Sequence, residues 1–416
     1  MATWFDRARF GMFIHWGHVS QQGWELSWPL VGGSPVFPAC QDIPAADYHA
    51  GASRFCPRPH AARDWMQRAA RAGMRYAVLT TKHHDGFALW PTQANDWSIA
   101  RTPYGGDLVR EYVDAVRAAG LRVGLYFSLS DWHHPDYPPF TDADRPYSFG
   151  LAPRPTPAQW ERYLAMMTAQ LEELLTGYGR IDLLWFDGGW ERGLDDWRCA
   201  ELEARIRAWQ PEILINDRLP GRGDFDTPEQ IVPAEPPGRA WETCLTMNDS
   251  WGWNPSDTNY KSARALVHTL CETAGRGGNL LLNVSPMADG ALPPLQTERL
   301  DAIAAWMAAY GESLVDAAPG LAAWQHYGPS TRRGDTLYLH LVQRPYESVT
   351  VRGLHVRRVR AVRELRNGLA LAFRPRLAIA DQLFNPDPIG DLVIEVPDAL
   401  LDPLCTVLAL DLEPPR

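Results

Sequence analysis

Short apolar runs in this 416-residue chain end repeatedly in polar side chains: His15, His83, His84, Asp131, Asp187, Asn216, Arg218 and Asn283. The most informative run is 181–190, Ile-Asp-Leu-Leu-Trp-Phe-Asp-Gly-Gly-Trp. Its apolar part is too short for a typical helix and reads as a buried strand of the parallel type. It closes on Asp187, then two glycines and Trp190. A lone Asp before Gly is usually a turn or helix cap. Several strands ending in His, Asp, Asn and Arg are harder to assign to stability, because packed polar groups need partners. If the strands are parallel, these ends converge on one face, which is where an α/β barrel carries its chemistry.

Two kinds of chemistry suit such a set. Histidines beside an Asp invite a metal ion. However, the first strand carries a single His15, and adjacent His83 and His84 point to opposite faces if their strand continues, so both cannot easily hold one ion. The expectation is therefore no metal. No Gly-x-Gly-x-x-Gly follows a strand, so no dinucleotide is expected either, and no cofactor is invoked. The other route is a pair of carboxyl groups, one attacking or stabilising an anomeric carbon and one protonating the leaving oxygen. Asp187 is the strand-end candidate, and Glu229, Glu235 and Glu242 compete for the second role.

The elements that must position these groups alternate. Strands are predicted over 10–15, 75–81, 122–130, 181–187, 213–217, 240–244 and 278–284, with helices over 61–72, 108–119, 157–175, 195–209, 260–274 and 295–309. Thr156 with Pro157 reads as an N-cap and first turn, and Gly73 and Gly120 as helix stops. Strand–helix alternation is the pattern of parallel βαβ units. Seven strands fit an eight-stranded barrel with one irregular repeat better than a doubly wound sheet. Two long loops, 19–47 and 136–157, flank the strand ends. After Pro319 the pattern changes to alternating runs at 336–342, 348–351, 357–364, 392–396 and 405–410, without a convincing helix, which predicts a small antiparallel sandwich. The expected division is 1–320 for the barrel and 321–416 for the sandwich.

Composition sets bounds. The chain is 45% hydrophobic and 22% charged with a net charge of -10, which argues against nucleic acid or an anionic membrane as partner. No apolar run is long enough to span a bilayer. The six cysteines have no zinc-finger or redox-pair spacing and read as free thiols in a reducing compartment. With no signal peptide visible, a cytoplasmic location is the simplest expectation. The 18 Trp and 14 Tyr supply flat faces of the kind that stack on sugars.

In their order along the chain, seven segments carry a specific likeness: 10–17 (FGMFIHWG), 82–90 (KHHDGFALW), 184–188 (LWFDG), 216–218 (NDR), 224–229 (DFDTPE), 241–254 (WETCLTMNDSWGWN) and 277–286 (GGNLLLNVSP). The chain resembles the α-L-fucosidases of glycoside hydrolase family 29 along nearly its whole length. The resemblance implies an irregular (β/α)8-like barrel followed by a β-sandwich, in agreement with the strand reading. It implies an exo-acting, retaining hydrolase of fucosylated glycans, with Asp187 as nucleophile and Glu229 as acid/base, Glu242 being the alternative. It places His15, His83, His84, Tyr126, Trp185 and Arg218 at the sugar, with Trp251 on its apolar side. Glu25 or Trp28, in the WELSW stretch, stands in for the family's Glu-Trp pair. Asp187 must stay ionised, which a nearby cation such as Arg218 or a protonated His favours, while Glu229 must hold a proton in the first step. Carboxyl groups roughly 5–5.5 Å apart are expected for retention. An α-L-galactosidase, a non-catalytic fucose-binding protein and a homo-oligomer are compatible with the same residues.

Overall fold

The seven predicted barrel strands all form in the computed structural model, which describes residues 4–33, 40–137, 141, 143, 145 and 154–414. They are β1 (Phe10–Ile14), β2 (Tyr76–Lys82), β3 (Arg122–Ser128), β4 (Leu183–Asp187), β5 (Leu214–Ile215), β6 (Glu242–Leu245) and β7 (Asn279–Val284). Their order in the sheet is β5-β4-β3-β2-β1-β7-β6, with parallel pairing between neighbours. The sheet curls, and its open side is bridged by the segment 224–229. Phe225 pairs with Asn216 beyond β5, while Asp226 and Glu229 pair with Trp241 and Cys244 on the other side, all in parallel sense. This segment is the irregular eighth stave. Its Asp-Phe-Asp-Thr-Pro-Glu composition opposes strand formation, so backbone bridges to both neighbours hold it rather than propensity. Glu229 sits at its carboxyl end.

Helices pack on the outside of the sheet through one apolar face each. In Ala61–Arg71, Trp65, Met66 and Ala69 are buried while Arg63, Asp64 and Gln67 are exposed, the three-to-four spacing that a half-buried helix requires. Burying an aromatic of this size contributes roughly 2–3 kcal/mol, and the Trp65 indole also donates to the Gly290 carbonyl (2.7 Å). Caps match the sequence signals. Thr156 and Gln159 form a capping box at Pro157–Gly177, and Asp107 and Ser262 accept N–H groups at the starts of the helices Leu108–Ala118 and Ala263–Gly275.

The last barrel helix, Pro294–Tyr310, leads to two antiparallel sheets. One contains β8 (Ala318–Pro319), β9 (Ser330–Arg333), β10 (Thr336–Leu341), β12 (Val359–Glu364) and β15 (Thr406–Leu412), and the other β11 (Ser348–His355), β13 (Phe373–Arg376) and β14 (Ile389–Glu395). Leu337, Leu339, Leu408 and Leu410 face the second sheet, whereas Tyr338, Val407 and Ala409 join the barrel's core. Period-two alternation thus buries both faces of the larger sheet. Several details differ from the sequence reading, which assigns no run to β8 or β9. A short helix, Ile379–Phe384, lies where none was expected; none of its residues is buried, so it carries no amphipathic signal. The strand β13 was also missed, because Pro375 and its exposed arginines disguise an edge strand. Among the described residues, no helix is long and apolar enough to cross a membrane. Most of the predicted loop 136–157, and 34–39 of the loop 19–47, lie outside the described residues.

Candidate active site

The strand ends enclose a cavity of about 410 Å³. Asp187, Glu229, Arg218, His15, His83 and His84 supply its polar lining. Its apolar lining is Phe13, Trp28, Tyr126, Trp185, Trp190 and Trp251.

Asp187 is the last residue of β4, and the chain leaves it through Gly188 at φ +73°. A Cβ there would lie 2.3 Å from the Ser130 hydroxyl, so only glycine permits the turn. The Asp187 carboxylate accepts from the Tyr126 hydroxyl (2.8 Å, Oδ2) and from Arg218 Nη1 (3.1 Å, Oδ1). Arg218 is delivered from beyond β5, where the Asn216 amide clamps the backbone of Phe186 through its N–H (2.7 Å) and C=O (2.9 Å). The guanidinium lies 4.6 Å over the Trp185 ring, and its second terminal nitrogen donates to Glu229 Oε2 (2.6 Å). Although burial alone would lower its pKa, Asp187 and Glu229 raise it above the ordinary arginine value, so Arg218 is a fixed cation.

The competing glutamates separate cleanly. Glu229 lines the cavity, with its side chain 37% exposed. Glu242 is wholly buried beneath Trp185, accepting from the Trp185 indole (3.0 Å) and the Tyr76 hydroxyl, and burial pushes its pKa up to about 7. Glu235 is exposed and lies outside the cavity lining.

Three histidines face the cavity, and burial keeps all three neutral: His15 and His84 titrate near about 3 and His83 well below its ordinary value. Hydrogen bonds fix two tautomers. The Asn283 amide nitrogen donates to the Trp251 carbonyl (2.8 Å), so its oxygen faces His15 Nδ1 (2.7 Å), which must carry the proton. The Ser128 hydroxyl donates to the Ser130 carbonyl (2.7 Å), so it accepts from His84 Nδ1 (2.7 Å). Nε2 of both rings is therefore a hydrogen-bond acceptor, suited to a sugar O–H.

The sequence expectation that His83 and His84 diverge is corrected. The register of β2 against β3 slips between Thr80 and Lys82, and the strand ends at Lys82. This bulge re-aims the following side chains, and the two rings come together with centroids 4.0 Å apart. Glu25 is also corrected. It lies outside the cavity lining, with no exposed surface, accepting the backbone N–H groups of Trp251 (2.7 Å) and Gly252 (3.0 Å). Burial pushes its pKa up to about 8. It braces the Trp251 loop, while Trp28 reaches the cavity. Of the remaining strand-end residues, Asp131 accepts the N–H groups of His133 (3.1 Å) and His134 (2.9 Å), and Asn216 and Asn283 act through their neighbours. Sequence reasoning did not assign Phe13 or Trp190. Phe13 of β1 stands two residues before His15, which continues the strand direction, and so shares its face, and Trp190 sits in the turn just after Asp187.

Known proteins share this arrangement of fold and sequence. The sequence model of the family described as Alpha-L-fucosidase matches residues 1–312. Tissue alpha-L-fucosidase of Homo sapiens is 30% identical over 378 residues, covering 84% of this chain and 77% of that protein. Alpha-L-fucosidase isoenzyme 1 from Paenibacillus thiaminolyticus superposes with a TM-score of 0.85 at 37% identity, covering 99% of this chain and 98% of the other. The Thermotoga maritima alpha-fucosidase solved in complex with a mechanism-based inhibitor superposes with a TM-score of 0.76 at 29% identity, covering 98% of this chain and 96% of that one.

Proposed function

Because the chain belongs to the α-L-fucosidase family, glycoside hydrolase family 29, and is an α-L-fucosidase acting on fucosylated substrates, we propose that it works by double displacement with retention, Asp187 being the nucleophile and Glu229 the acid/base. The observation that carries this reading is the single Arg218 guanidinium bonded to both carboxyl groups at one cavity.

In the first step an Asp187 oxygen bonds to the anomeric carbon as the bond from that carbon to the glycosidic oxygen breaks. Glu229 gives its proton to that oxygen, and the aglycone leaves as an alcohol. In the second step Glu229 takes a proton from water, whose oxygen attacks the same carbon. The ester to Asp187 breaks, and the free sugar departs with its original configuration. Negative charge thus sits on Asp187, then on Glu229, then on Asp187 again, and Arg218 reaches both.

The lining suits the sugar's two sides. Nε2 of His15 and His84 accept from hydroxyls, and a site built on buried acceptors discriminates against an analogue that leaves one unpaired. Trp251 and Phe13 offer an apolar wall for the methyl group of fucose. The test is proton NMR of the first product formed from an aryl α-L-fucoside. The α-anomer is expected first, and β-fucose appearing first would overturn the mechanism.

A further inference from the structure

The convergence of His83 and His84 also brings two ring nitrogens beside the Asp187 carboxylate. His83, His84 and Asp187 each present one ligand atom, and these atoms lie within 4.8 Å of one another. Nε2 of His84 stands 3.7 Å from Asp187 Oδ2. With the His84 proton held on Nδ1 by Ser128, a lone pair there faces a carboxylate with no hydrogen between them. Two electron-rich atoms so placed are satisfied by a bound hydroxyl or by a cation. The Nδ1 atom of His83 is occupied by the Ser27 hydroxyl (2.6 Å), leaving its Nε2 as the nitrogen available to a ligand. Each ring is thus hydrogen-bonded through its far nitrogen, and that of His84 donates in the way metal-ligating imidazoles usually do.

We infer that these three residues form an inhibitory site for a divalent transition-metal ion of the zinc class. Two imidazoles and one carboxylate are the donor set of a three-ligand zinc site, with the cavity supplying the open fourth position. Magnesium and calcium, which prefer all-oxygen shells, are excluded. Arg218, bonded to the other oxygen of Asp187, repels the ion and keeps binding reversible. An ion here occupies the floor of the sugar cavity and excludes substrate. The site stands on geometry alone; only the predicted loss of turnover rests on the role proposed for Asp187.

The test uses the full chain with its exposed Cys56 changed to Ser, so that a surface thiol cannot bind the ion. Calorimetric titration with zinc chloride is expected to give one ion per chain, displaced by a fucose-shaped iminocyclitol, and at least tenfold weaker in both His83→Gln and His84→Gln. Melting curves identify any variant that fails to fold, and either variant alone suffices. His355→Gln, which changes a half-exposed histidine paired with Asp387, should bind as tightly as the parent. Turnover of an aryl fucoside should be inhibited in the order copper, zinc, cobalt, manganese, with magnesium inert. Zinc binding that is unchanged in folded His83→Gln, that coexists with the iminocyclitol, or that is absent at millimolar concentration overturns the site. Failure of the protein to cleave any fucoside while zinc still binds through His83 overturns the proposed mechanism instead.

Discussion

Asp187 and Glu229 are joined through one guanidinium: Nη1 of Arg218 donates to the first across 3.1 Å and Nη2 to the second across 2.6 Å. Double displacement moves a negative charge from one carboxyl group to the other and back, so a cation in contact with both serves each stage without moving. Lysine carries the charge but lacks the planar fork. Arg218→Lys is therefore expected to lower kcat/KM by about 10²-fold or more, the scale of a misplaced catalytic group. Steady-state kinetics on an aryl fucoside check this; wild-type rates in the variant would remove Arg218 from the mechanism.

The two glutamates should fail differently. Glu229→Ala should slow cleavage of substrates with sugar leaving groups by about 10²–10⁴-fold, the usual range for lost general acid catalysis, and affect activated aryl fucosides less in the first step. Glu242→Gln places an amide N–H₂ against either the Trp185 indole or the Tyr76 hydroxyl, both of which donate to Glu242. Its effect is expected in stability, read by urea unfolding, rather than in catalysis, with the dependence on leaving group unchanged. A steep leaving-group dependence in Glu242→Gln, and none in Glu229→Ala, would exchange their roles.

Stability should peak near neutral pH. Glu25 and Glu242, raised by burial to about 8 and about 7 from an ordinary 4.5, keep protons in the fold that the unfolded chain releases. Each therefore lowers stability as pH rises between about 4.5 and its folded value, by about 1.4 kcal/mol per pH unit. Buried histidines act oppositely. His15, His84 and His340 titrate near about 3 in the fold, and His49 and His326 near about 4, against an ordinary 6.5. Below 6.5 only the unfolded chain takes up their protons, so stability falls as pH drops. These histidines outnumber the two carboxyl groups, so the urea midpoint should rise from pH 5 to about 6.5 and then decline, until near pH 8 Lys82, lowered by burial to about 8, offsets the carboxyl groups. Glu25→Gln should flatten the decline between 7 and 8. A midpoint still rising from 6.5 to 8 would contradict this.

Much of this site was legible in the chain because its strands carry their own signals. The apolar run into Asp187 and the polar ends at His15 and Arg218 are read from periodicity, and they meet because parallel strands must end on one face. The likeness to a known family supplied the choice of Glu229, whose segment has neither alternation nor β-propensity and becomes a stave only through bridges to Asn216, Trp241 and Cys244. The bulge before Lys82 lies in backbone geometry that composition does not encode, so the relative direction of His83 and His84 was misjudged. Glu25 lies in an irregular stretch between two short 3-10 turns, where no period distinguishes a side chain facing the cavity from one facing the backbone of Trp251.

The central claim is a covalent bond to one side chain. Incubation with a 2-deoxy-2-fluoro-fucosyl fluoride slows both steps and favours accumulation of the ester, so intact-protein and peptide mass spectrometry read the nucleophile directly. The account predicts one fluorofucosyl adduct per chain, on the peptide containing Asp187, absent in Asp187→Gly. An adduct on another carboxylate, or turnover of the fluoride with inverted product and no adduct, would contradict it.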